Sequence, residues 1–369
     1  MNMQFKSDWA ETRDRFSAWW AHKKADRPLL SFWTYRECSL ENPLIVEPFA
    51  DVSERYLYTE KMLAHQFERL CTQKPMAEAY PALSLDLGAG SLALYLGSEP
   101  DFHSDTLWFL PAMDSLPSDG NIPFNADSRW FKQHIEMFEM GKEIAASTDA
   151  LLCIPDLVEH VDVLASLRGT TELFHDFYEY PDLVKAANKS LNMHYKTIYD
   201  AFNKYCMEED TGWNAFTIFS IYGPGRTGKV QCDVSAMISP DMFREFALEP
   251  LREQCKWLDN SLFHLDGPEC ICHVPALMEI EELNAIQWTH GHSNPPSGEE
   301  CWDELYSMVR DADKGLWIAL FDYDPEVAIQ KADRLVRKFG AKGLYFLLPN
   351  MTEQESDALL LKAEREWKC

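Results

Sequence analysis

A chain of 369 residues that is 46% hydrophobic and 25% charged has the composition of a folded globular protein with a large core, which excludes disordered and fibrous classes. Its 60 acidic residues outnumber 34 basic ones for a net charge of -26, and no Lys/Arg run is present to track phosphates, so neither nucleic acid nor an anionic membrane is an expected partner. The N-terminus carries charges where a signal peptide needs an apolar core, no later run reaches ~18 apolar residues, and the ten cysteines are scattered, so we expect a cytoplasmic protein with reduced, mostly buried thiols.

Along the chain, Trp9 to His22 is amphipathic and predicts a helix buttressing something larger. A first strand is expected at Leu29 to Tyr35 and a helix at Val52 to Leu70. From Ala77 to Pro123 the chain is punctuated by Gly and Pro and carries many aromatic residues, the pattern of an irregular excursion over an active site. Then follow a helix from Asp127 to Ser147, a strand at Ala150 to Ile154, short helices at Val161 to Leu167 and Thr170 to Tyr178, and a longer helix opened by Pro181. Trp213 to Phe219 predicts the next strand. A helix from Pro240 to Trp257 begins after the N-cap candidate Ser239. Beyond it, apolar strands at Leu262, Ala285 to Trp288, Leu316 to Phe321 and Gly343 to Leu348 alternate with amphipathic helices, ending in one from Thr352.

Such alternation argues for parallel βα units. Counting strands near positions 30, 80, 152, 216, 263, 286, 318 and 345 gives the eight that a closed (β/α)₈ TIM barrel requires, with an N-terminal helical extension and elaborated first-half loops. We take residues 1–369 as one domain of this kind. A doubly wound open sheet is the competing architecture, but no glycine fingerprint follows an early strand.

The loop from Gly223 to Val230 has GxxxxGK spacing, yet Val230 stands where a phosphate loop needs Ser or Thr for Mg²⁺. It is expected to be a mobile loop on the active face. Cys270 and Cys272 lie too close in sequence for a thiolate metal pair on a helix and read as buried residues. His264 and Asp266 differ, because residues two apart on a strand share a face, and both would leave the same strand end side by side. That arrangement suits metal ligation or acid/base work. The catalytic candidates are thus His264, Asp266 and Asp233, with His264 and Asp266 also proposed as metal ligands. Substrate contacts are expected from Arg36, Trp108, Trp213, Gln231, Gln287, Trp288 and His290, the tryptophans packing on a flat ligand.

The run from Gln231 to Phe246, together with His264-Leu265-Asp266-Gly267, Ala285 to Trp288, Leu167-Arg168-Gly169-Thr170 and the segment from Asp86 to Pro100, resembles the uroporphyrinogen decarboxylase superfamily. The resemblance implies a barrel whose ligands sit at the C-terminal ends of its strands, and either decarboxylase or corrinoid-linked methyltransferase chemistry. The decarboxylases hold substrate carboxylates with an arginine-rich N-terminal segment, of which only Arg36 is present here; Arg168 and Arg226 are the other arginines that such a cofactor-free decarboxylase would need in its pocket. Thiol-alkylating members bind zinc through a His-x-Cys pair and a distant cysteine. Here the pair is His264-x-Asp266 and the last strand has no cysteine, which points to a different zinc set or a harder divalent metal. The expected function is a methyltransferase-type reaction on a small metabolite, with a corrinoid protein as the implied partner. Cofactor-free decarboxylation and a non-catalytic ligand-binding barrel are the alternatives.

Overall fold

The computed structural model describes residues 3–35, 46–103 and 106–368. Its strands are β1 (Leu29–Tyr35), β2 (Gln73–Ala77), β3 (Ala82–Leu83), β4 (Glu99–Phe102), β5 (Leu107–Leu110), β6 (Leu151–Leu152), β7 (Trp213–Phe216), β8 (Ile221–Pro224), β9 (Thr227–Gln231), β10 (Asn260–Asp266), β11 (Ala285–Thr289), β12 (Gly315–Ala319) and β13 (Leu344–Leu347). The main sheet runs β2-β1-β13-β12-β11-β10-β9, parallel throughout except for the antiparallel edge strand β2. A shorter arc continues around it. There β3 pairs in parallel with β6, and a parallel bridge between Cys153 and Ala215 carries the arc to β7. The arrangement is TIM-barrel-like, but among the described residues the hydrogen-bond ladder does not close as the sequence count of eight strands predicts.

The departure has a local cause. The fourth strand position is split: β7 turns back through the antiparallel β8, and β9 is the strand that joins β10. Gly223 to Val230 is therefore a tight β8–β9 turn followed by a barrel strand, which corrects the expectation of a mobile loop. Gly225 adopts φ 70° against the Asp259 carboxylate, which accepts the Arg226 N–H at 2.8 Å. Because Thr227 pairs with Asn260 at the start of β10, this turn lies at the N-terminal end of the barrel. In barrel enzymes the chemical face is the opposite, C-terminal end.

Most helices follow the pattern predicted from sequence. Trp9–Trp20 buries Phe16, Trp19 and Trp20 beneath the barrel, and Pro325–Phe339 and Glu353–Glu366 pack outside it, the latter closed by a Thr352/Glu355 capping box. Ser239 caps the next helix by accepting the Met242 N–H. The expected continuous helix to Trp257 breaks at Ala247, because Pro250 has no N–H to offer the Phe246 carbonyl; Asn188 Nδ2 donates to that oxygen instead, at 2.9 Å. No described helix is long and apolar enough to cross a membrane.

Candidate functional site

Parallel register places side chains of like parity in one row across neighbouring strands. Gln231 on β9 pairs with His264 on β10, His264 with Gln287 on β11, Gln287 with Trp317 on β12, and Trp317 with Tyr345 on β13. Lys229 lies one step below Gln231 on the same face. Asp233 and Asp266 lie one step above the row, at the C-terminal mouth. Polar side chains thus fill one half of the barrel interior and aromatic ones the other half.

Asp233, His264 and Asp266 each offer one donor atom, and the three atoms lie within 4.8 Å of one another. His264 Nδ1 is bonded to Gln287 Oε1. Gln287 is itself oriented, since its Nε2 donates to Thr289 Oγ1 at 2.9 Å and leaves the oxygen facing the imidazole. The consistent tautomer carries its proton on Nδ1 and leaves the Nε2 lone pair for the site. Burial, and then the charge of Lys229, lower the pKa of His264, so the ring is neutral at ordinary pH. Phe219 packs on the imidazole at 5.0 Å between centroids and is pinned in turn by Trp317 Nε1, which donates to its carbonyl at 2.9 Å.

Below this cluster is a charged network that the sequence reading did not anticipate. Lys229 Nζ is paired with Asp156 at 2.6 Å and bonded to Gln231 Oε1. Burial alone would depress this lysine, but Asp156 and Glu159 outweigh it and hold the ammonium charged. Glu159 accepts the Gln231 N–H at 2.7 Å, and burial pushes its carboxyl well up. Asp162 accepts the N–H groups of Asp233 and Val234 at 2.8 and 2.9 Å, capping the turn Asp233–Met237. Gln231 Nε2 bridges Asp162 and Asp233 at 3.0 and 2.9 Å. Although Asp233 reaches solvent at the rim, its carboxyl sits among these groups; desolvation first, then the Asp162 charge, push it up to about 8. The backbone on either side of Glu159 is strained, with φ of 55° at Val158 and 30° at His160. Such angles in non-glycine residues persist where surrounding contacts enforce them.

Two cavities open beside the row. The smaller, about 180 Å³, is lined by Gln287, His290, Trp317, Phe321 and Asp322 among others. The larger, about 330 Å³, includes Trp33, Arg69, Ser84, Thr217 and again Phe321. Neither is lined by Asp233, His264 or Asp266, and the smaller meets that cluster through Gln287.

The expected site residues separate accordingly. Asp233, His264, Asp266, Gln231 and Gln287 come together at the mouth, and His290 lines the smaller cavity while bonding Ser297 Oγ at 3.0 Å. Trp288 does not wall a pocket: it alternates with Gln287, faces outward, is 0% exposed and packs on Trp302 at 4.9 Å. Trp213 lies at the opposite end, opening β7 against Tyr222 at 4.7 Å. Trp108 stands on the β4–β5 hairpin, 62% exposed and part of neither cavity. Arg36 lies outside the described residues. Of the paired cysteines, Cys270 is buried but Cys272 is exposed. Lys229, Asp156, Glu159 and Asp162 are the residues that sequence reading missed. Their signal was the alternation Lys229-x-Gln231-x-Asp233, which is a strand face, and the polar exit Asp156 to Asp162 after an apolar strand.

No family model matches this sequence, and no curated protein matches it. In structure the chain is similar to a methyltransferase from Methanosarcina mazei, with a TM-score of 0.60 over 96% of this chain and 98% of that one, at 13% sequence identity. At that identity the likeness speaks for the fold.

Proposed function

We propose that the chain is a methyltransferase-type enzyme acting on a small metabolite, with its reaction centre at Asp233, His264 and Asp266. The observation that carries this reading is the convergence of one imidazole and two carboxylates at the mouth of a TIM-barrel-like fold, with the imidazole oriented from behind by Gln287. Likeness of fold to a methyltransferase is consistent with it. A corrinoid protein as methyl carrier is part of the same proposal.

The donor set fits a divalent metal of nitrogen and oxygen preference, zinc included, and does not fit a zinc thiolate centre. Cys270, the thiol on the turn after β10, accepts a hydrogen bond from Ser235 Oγ at 3.3 Å, and burial pushes it up to about 11, so it is a neutral thiol. In the proposal Asp233, His264 and Asp266 hold the metal, and when bound it would activate a nucleophile or polarise a leaving group. Gln287 keeps the His264 lone pair aimed at the site, while Gln231 and Asp162 fix Asp233. The surplus of carboxylates favours a cationic group at this end, whether a metal ion or the onium centre of a methylated substrate.

Of the arginines a cofactor-free decarboxylase was expected to bring to its pocket, Arg168 is held by Asp176 at 2.8 Å, Arg226 is held by Asp200 at 3.2 Å at the far end of the barrel, and Arg36 lies outside the described residues. The proposal is tested by metal analysis and calorimetric titration with Zn²⁺, Mn²⁺ and Co²⁺. Wild-type protein should bind one ion, and His264→Ala and Asp266→Asn should each lose affinity by at least tenfold and abolish methyl transfer while keeping the wild-type melting temperature. Undiminished metal affinity in both variants would sink this assignment.

A further inference from the structure

Across the mouth from the acidic cluster, the larger cavity has the opposite character. Arg69, on the helix Thr59–Thr72, lies with its guanidinium carbon 4.8 Å from the centroid of the Trp33 ring and donates through Nε to Gln73 at 3.2 Å. Among the described residues it meets no carboxylate, whereas Arg27, Arg168 and Arg226 are each paired with one. In a chain of net charge -26, Arg69 thus presents a guanidinium to this cavity with no carboxylate beside it among the described residues. Partial burial lowers its pKa, and no acid among the described residues offsets that. The ring beneath it fixes the plane of the guanidinium and leaves the paired Nη donors for a ligand.

The other polar groups of the wall are divided. Gln66 is saturated by the Ser84 backbone, accepting its N–H and donating to its carbonyl, both at 2.7 Å. Ser84 Oγ donates to Asp86 and accepts from Thr217 Oγ1, so these hydroxyls are also engaged. That leaves Arg69, with the Asn350 amide and the Ser220 hydroxyl on the same wall, as the recognition groups. Phe321, which is 51% exposed, and Leu347 line both this cavity and the one that meets Gln287, and they form an apolar bridge between the two.

We propose that this cavity binds a carboxylate of the substrate through Arg69, so that the enzyme takes a small carboxylated metabolite whose reacting end extends past Phe321 toward Gln287 and His264. A planar carboxylate matches the guanidinium fork in two parallel hydrogen bonds. The acidic cluster repels the same group, so the two ends of the mouth would orient a substrate with its anionic tail at Arg69 and its reacting end at the carboxylates. The direction of binding rests on the reaction centre proposed above; the carboxylate site stands on the cavity alone.

The test compares butyrate with butyramide, a neutral analogue of nearly the same shape, by calorimetric titration. Wild-type protein is expected to bind butyrate more tightly by on the order of tenfold. Arg69→Met should abolish the preference and Arg69→Lys should lose most of it, because the fork is gone. His264→Ala should keep it, so that failure of the metal proposal and failure of this one are read separately. Equal affinity for the two compounds, no saturable butyrate binding, or a preference surviving in Arg69→Met would each overturn the proposal. Where Arg69→Met does not fold, protection of wild-type Arg69 from phenylglyoxal, read by peptide mass, decides the matter: butyrate but not butyramide should protect it, and an unprotected Arg69 overturns the assignment.

Discussion

The two ends of the barrel handle buried charge in opposite ways. At the N-terminal end, Glu78 is fully buried and fully matched: Arg27 grips it with two bonds of 2.7 and 2.9 Å, Arg15 adds a third at 3.2 Å, and the Leu30 N–H donates a fourth at 2.8 Å. Tryptophan N–H groups seal the same end, Trp19 donating to the Gly343 carbonyl and Trp20 to that of Tyr222. At the mouth, Asp86, Asp156, Glu159, Asp162, Asp233 and Asp266 gather around a single described lysine, Lys229, and Asp86, Glu159 and Asp162 join Asp233 in having raised pKa values. Charge is balanced where it closes the fold and left in surplus where a ligand would balance it. A buried ion that is matched contributes mainly by not being orphaned, whereas a surplus is retained only where something else uses it.

The largest effect expected from breaking this contrast is at the closed end. Arg27→Met leaves the Glu78 carboxylate buried with only Arg15 beside it, and unfolding in urea should show a loss of about 3–5 kcal/mol. The double variant Arg27→Met/Glu78→Leu should recover most of that loss, since no buried charge is then left alone. A single-variant loss no larger than that of a surface pair would mean that the lower end does not depend on balance.

A smaller effect, of the opposite kind, is expected at the mouth. Asp86 accepts the Asp156 N–H at 2.6 Å, yet burial first and the Asp156 charge next push its carboxyl up to about 6. In the unfolded chain the same group titrates near ~4. Between these values the native state holds more protons than the unfolded state, so stability falls as pH rises from about 4 to about 6 and is level above that. Asp86→Asn has no such proton to lose. The stability of the wild type relative to this variant should therefore decline by up to a few kcal/mol across that window, measured by denaturant unfolding at a series of pH values. A flat difference would show that Asp86 is already balanced, and the contrast between the two ends would lose one of its members.

How far these features are legible in the sequence depends on which rule a residue obeys. Long amphipathic segments obey the 3.6-residue period, as in Pro325–Phe339, which buries Ala328, Ala332, Leu335 and Val336 along one face. β3 and β6 are two residues each; the apolar run Ala150 to Ile154 marked β6, whereas β3 lies within the irregular Ala77 to Pro123 segment and is too short to carry a pattern. The Gly223 to Val230 segment misled because a barrel strand bearing Lys229 breaks the expectation that buried strands are apolar, while its glycines suggested a hinge. His264, Asp266 and Gln287, which the structure brings together with Gln231 and Asp233, were singled out because polar residues stood at the ends of apolar strands. Trp288 was misplaced by the same logic applied without the alternation of faces, which allows only one of Gln287 and Trp288 to point inward. Arg69 left no signal: it sits on a helix with an ordinary polar face, and what sets it apart is its place over the Trp33 ring on the wall of a cavity at the mouth, which only the fold reveals.

The smallest effect expected concerns Arg226, which the β8–β9 turn holds at the N-terminal end. Its guanidinium is partly exposed, meets Asp200 at 3.2 Å and lies 4.5 Å from the centroid of the Trp257 ring. Such a pair is screened by water and held at an entropic cost, so Arg226→Ala should change stability by less than about 1 kcal/mol. Turnover, once a substrate is in hand, should be unaffected, because the turn lies at the N-terminal end of β9, beside Asn260, and His264 at the opposite end of β10. That combination separates position from charge. Arg69 and Arg226 are both arginines stacked on a tryptophan, and only Arg69, without a described carboxylate partner and facing a cavity at the mouth, should change which molecules the protein binds. A loss of ligand preference in Arg226→Ala would place recognition at the closed end and reverse the roles assigned to the two faces.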